Sequence, residues 1–89
     1  MPDMPESLHD RWTNLVEAIR QECGDHGQHA DALEVDESAL KVRLPLGAST
    51  YHSEWFLAEA ILNNDPAVMA ASFYQRYHEA RETRGQAPA

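Results

Sequence analysis

The spacing of apolar residues changes twice along this chain, from helical to alternating and back. From Pro5 or Ser7 to Cys23, the residues Leu8, Trp12, Leu15, Val16, Ile19 and Cys23 recur every three to four positions, as in a helix with one buried stripe. Ser7 ahead of Asp10 resembles a capping box, and Gly24 is the expected left-handed stop. Between residues 31 and 46 the period falls to two. Leu33 and Val35 point one way and Glu34 and Asp36 the other, and then Leu40, Val42 and Leu44 alternate with Lys41 and Arg43. This pattern predicts a β-hairpin looping at 36–39. Its register sets Val35 opposite Leu40, Glu34 opposite Lys41, Leu33 opposite Val42 and Ala32 opposite Arg43. Pro45 lacks the N–H that a ladder needs, so the second strand ends or lies at an edge there.

Beyond Leu46-Gly47-Ala48, Ser49 and Thr50 offer caps for a second helix over Tyr51 to Asn63. Trp55, Phe56, Leu57, Ala58, Ala60, Ile61 and Leu62 crowd this segment, so such a helix is apolar around most of its circumference and demands cover on more than one side. Asp65 and Pro66 read as the cap and first residue of a third helix. That helix runs to about Arg84, burying Val68, Met69, Phe73, Tyr77 and Ala80, and Gly85 stops it. The expected fold is therefore α+β in the order α-β-β-α-α, an antiparallel two-stranded hairpin packed against three helices and open to extension by dimerisation.

Length adds a bound: 89 residues and 10.0 kDa suit one domain over residues 1–89, with 1–5 and 85–89 as flexible tails. Hydrophobic residues at 43% and charged residues at 25% are near globular averages and exclude wholesale disorder or a collagen-like repeat. The net charge of −8 disfavours direct binding to nucleic acid or anionic lipid. It is regional: ten acids between residues 1 and 40 face only Arg11 and Arg20, whereas five acids balance five bases from 41 to 89. A single cysteine, no basic-apolar leader and no run of about 20 apolar residues point to a cytoplasmic protein without a membrane segment.

Candidate chemistry concentrates at residues 23–31, where Cys23, His26 and His29 are spaced three apart in a glycine-containing loop. They could hold zinc with Asp25, Asp31 or His52 as a fourth ligand. The plainer reading is preferred: Cys23 is the last buried residue of the first helix and the histidines are loop residues, since structural zinc sites draw on two separated ligand pairs. Cys23 at a helix C-terminus is also poorly placed to be a nucleophile. The Tyr51-His52 and Tyr77-His78 pairs fit a core or rim better than acid–base chemistry, and no motif of catalysis occurs, so no enzyme is expected.

Three functions are compatible with these features. The preferred one is a small non-catalytic interaction or regulatory module, homodimeric, binding a protein through Trp55, Phe56, Glu59 and Leu62, although taken by themselves Trp55 and Phe56 read more readily as core plugs than as anchors, because a small domain needs its large aromatics inside. The second is an acidic decoy for a basic or nucleic-acid-binding partner, and the third a metal-binding protein using Cys23, His26 and His29.

Overall fold

The computed structural model describes residues 6–27, 30–47 and 49–86. In chain order they form α1 (Glu6–Asp25), a 3-10 turn (Ala30–Ala32), β1 (Glu34–Asp36), a second 3-10 turn (Glu37–Ala39), β2 (Lys41–Pro45), β3 (Tyr51–Trp55), α2 (Ala58–Asn63) and α3 (Pro66–Gln86). The domain is α+β, with an antiparallel sheet in the order β1-β2-β3 against three helices.

The α1 stripe is buried as its spacing requires: Leu8, Trp12, Leu15, Val16, Ile19 and Cys23 all enter the core. The helix continues past Gly24 to Asp25, and the left-handed glycine is Gly27, at φ 75°. There the N–H of Gly27 donates to the carbonyl of Gly24 over 3.0 Å. Across from α1, α3 contributes Ala70, Phe73, Tyr74 and Tyr77, while Leu33, Val42, Leu44 and Ile61 close the core from the sheet and α2. Of the α3 residues expected inside, Val68 lies outside, 61% exposed; Ala70 and Tyr74 occupy the buried stripe in its place.

The start of α3 follows its sequence signals. Asp65 accepts from the N–H of Ala67 through its side chain and from that of Met69 through its carbonyl, at 2.9 and 3.1 Å, with Pro66 at the first position. The six-residue α2 is held by side chains at its C-terminal end. Asn63 and Asn64 donate to the carbonyls of Glu59 and Ala60, and Arg11 reaches from α1 to those of Ile61 and Asn64, satisfying groups a helix end leaves unpaired.

Two expectations about the sheet are corrected. The hairpin is two residues out of the expected register: Glu34 faces Arg43, Val35 faces Val42 and Asp36 faces Lys41. Leu40 causes the shift. It sits in the left-handed region at φ 51°, its N–H donating to the carbonyl of Glu37, and so belongs to the connection and not to the strand. A shift of two preserves which side chains share a face. Arg43, not Lys41, therefore takes the Glu34 carboxylate, at 2.7 Å.

The larger correction concerns residues 51–55, expected to open a helix. They form a third strand, giving the order α-β-β-β-α-α, and the sheet has three strands where a hairpin of two was expected. β3 pairs with β2 from Lys41 opposite Trp55 to Pro45 opposite Tyr51. Thr50 joins the two strands instead of capping a helix, its carbonyl accepting from Leu46 at 2.7 Å. Pro45 is the last residue of β2, and its missing N–H falls on the side away from β3, where β1 pairs no further than Arg43.

Candidate functional site

The two faces of the sheet differ in kind. Residues directly opposite in an antiparallel pair share a face, so His52 and Glu54 lie on the side of Leu44 and Val42, against the helices. Tyr51, Ser53 and Trp55 lie on the other side with Lys41, Arg43 and Pro45.

On the helix side, Glu54 is the centre of a polar network. Arg76 of α3 clasps it with two hydrogen bonds of 2.8 Å, and His52 Nε2 lies 2.7 Å from its Oε2. Glu54 and His52 keep only 16% and 19% of their side-chain exposure. Burial by itself would raise the Glu54 pKa, but the bonds from Arg76 and then His52 outweigh it and hold the carboxyl below the ordinary glutamate range. The same pairing raises Arg76, so the two partners agree in sign. The His52 ring packs between the rings of Phe73 and Tyr77, and the Tyr77 hydroxyl donates to the carbonyl of Pro45 over 2.8 Å. This network fastens β3 to α3.

Among the described residues no helix is packed on the outer face, and cations lie over its aromatic rings. The Lys41 ammonium stands 4.8 Å from the centre of the Trp55 ring and the Arg43 guanidinium 4.2 Å from that of Tyr51. Where the sheet turns into α2, apolar groups face water: Trp55 is 63% exposed, Leu57 75% and Leu62 39%. Of the binding residues expected from sequence, Trp55, Glu59 and Leu62 are thus on the surface, while Phe56 is half-buried, edge-on to Trp12 at 6.1 Å. Trp55 is not a core plug. Leu57, the most exposed of the group, was missed, as were Tyr51, Lys41 and Arg43. The only signal for Leu57 was its place in the run Trp55-Phe56-Leu57, which helical spacing assigned to burial.

The cysteine–histidine cluster is divided. Cys23 is fully enclosed, and burial, helped by the Glu22 charge, pushes its thiol pKa up, away from the thiolate a metal prefers. His26 stacks flat on Tyr74, ring centres 4.1 Å apart, with Nε2 3.3 Å from Glu22. His29 lies outside the described residues. Of the fourth ligands considered, His52 is engaged by Glu54, and Asp25 and Asp31 lie exposed. Among the described residues, no group of three or more His, Cys, Asp or Glu side chains is arranged to hold a metal ion. Nor, among them, is any helix long and apolar enough to cross a membrane.

Comparisons with protein-family models, with curated proteins and with solved structures give no match to this chain.

Proposed function

We propose that this protein is a non-catalytic interaction module of the cytoplasm that engages a protein partner at the corner where β3 runs into α2. One observation carries the reading: Trp55 and Leu57 stand largely in water although the domain completes its core without them. A large exposed indole with Lys41 over its ring, an exposed isobutyl group two residues on and an exposed carboxylate at Glu59 have the composition of an interface anchor with a charged border. The partner chemistry that fits is an apolar side chain with an acidic flank, able to cover the Trp55 ring and meet Lys41. The acidic-decoy alternative draws less support, because Glu22, Glu34 and Glu37 already face His26, Arg43 and His9 within the chain.

The test is site-specific photocrosslinking in the host cell, with benzoylphenylalanine placed at position 57 or, as a control, at exposed Asn14 on α1. A discrete protein adduct at 57 that is absent at 14, and that disappears when Trp55→Ala is added, is the expected result. Equal labelling from both positions, or none from 57, overturns the assignment.

A further inference from the structure

The two edges of the sheet are unequally defended. β1 has only three residues, two of them acids, and a 3-10 turn on either side. Such an edge resists pairing. β3 has five residues, Tyr51-His52-Ser53-Glu54-Trp55, with no proline and no lysine, and among the described strands it has one neighbour, β2.

The hydrogen-bond alternation shows which groups the open edge presents. Phe56 N–H donates to Leu40 and Leu46 N–H to Thr50, and both pairs continue the β2–β3 register. The even-numbered residues therefore bond to β2. Tyr51, Ser53 and Trp55 turn their N–H and C=O groups away from it.

We propose that two copies of this chain join along β3, antiparallel about a two-fold axis at Ser53, to make one continuous six-stranded sheet. In that register Ser53 pairs with Ser53, and Tyr51 with Trp55 of the other copy, each pair exchanging both backbone hydrogen bonds. On the helix side His52 falls opposite the other copy's Glu54, an imidazole against a carboxylate. On the outer face the indole of one copy falls beside the phenol of the other, with the Lys41 and Arg43 cations already over these rings. Sliding one step in either direction that keeps the same outward groups sets His52 against His52 or Glu54 against Glu54. The sequence of β3 is thus complementary to itself in one register. Glu54, the inward charge that would otherwise discourage an added strand, is neutralised by Arg76. This pairing shares Trp55 with the corner assigned to a protein partner but does not use Leu57, and it is told apart from that reading by its own readout, the mass of the free chain.

Sedimentation equilibrium of the full chain tests it. The wild type is expected at twice the 10.0 kDa chain mass. Ser53→Pro deletes an N–H that points to the edge and not to β2, and Ser53→Lys places two ammonium groups at the axis; both variants are expected to sediment as monomers with the wild-type far-UV spectrum. Because the proline variant risks misfolding, the lysine variant decides if the two differ. Under mild oxidation Ser53→Cys is expected to form a crosslinked dimer at least about tenfold faster than Ser49→Cys, which lies off the axis. A monomeric wild type, a dimer that survives folded Ser53→Lys, or equal crosslinking at 49 and 53 overturns the proposal, and an adduct at position 57 heavier or lighter than a second 10.0 kDa copy is left standing by any of these results.

Discussion

Replacing Arg76 with methionine removes the cation but keeps much of the side-chain volume, and leaves the largely enclosed Glu54 with only His52 beside it. Two charge-assisted bonds are lost. Each would be worth about 1.5–3 kcal/mol if fully enclosed, but the Arg76 side chain is 49% exposed and water replaces part of what it gives. We expect a loss of about 1.5–2 kcal/mol in total near neutral pH, or roughly 6–16 °C in melting temperature for a domain of this size. The pH dependence is the sharper signature. In the wild type the Glu54 pKa is lowered on folding, so its contribution is full above the ordinary glutamate value and fades as the pH falls through the depressed one. In Arg76→Met the burial effect, which raises the pKa, is opposed by His52 alone. The carboxyl then protonates at a higher pH than in the wild type, and acid relieves the variant first. The stability gap measured by urea unfolding at fixed protein concentration should therefore narrow as the pH falls from neutral through the ordinary glutamate range, and close further as it passes the depressed wild-type value. Glu54→Gln should largely abolish the effect of Arg76→Met in a double-mutant cycle. A gap that is constant with pH, or a full Arg76 effect in the Glu54→Gln background, would refute the assignment of Glu54 as the group Arg76 stabilises.

Two further outcomes follow from the packing. Tyr77→Phe removes the hydroxyl that donates to Pro45 while the ring stays in the core, so unfolding free energy should fall by about 0.5–1.5 kcal/mol; no change would mean that water serves that carbonyl equally well. Cys23, enclosed and with its pKa raised, should react with a disulfide reagent in the native protein at least about a hundredfold more slowly than in the urea-unfolded chain, and a rate near the unfolded one would contradict its burial.

The helices were legible in the sequence wherever their buried stripe was apolar and their ends carried caps. α1 displays its whole core face as a period, and Asp65-Pro66 fixes where α3 starts. β3 was illegible for a physical reason. Its inward residues are His52 and Glu54, and its outward ones include Tyr51 and Trp55, so its polar and apolar alternation is inverted relative to burial. What makes the inward pair tolerable is Arg76, more than twenty residues away, and no local pattern announces that partner. Once 51–55 is read as helix, Trp55 is assigned to the core and the exposed corner vanishes. The hairpin register was lost to one residue, Leu40, whose apolar side chain suits the strand but whose left-handed backbone belongs to the turn.

Each strand of the sheet pairs with its neighbour in sequence, so the meander closes only short loops, whereas the union of α1 with α3 must wait until the chain has bridged the whole span between them. In kinetic terms the docking of α3 is therefore expected to be the late event. Because Arg76 and Tyr77 are the side chains with which that helix grips β3 and Pro45, weakening them should hasten unfolding more than it slows folding, and the time for which the native state persists is set by that clasp.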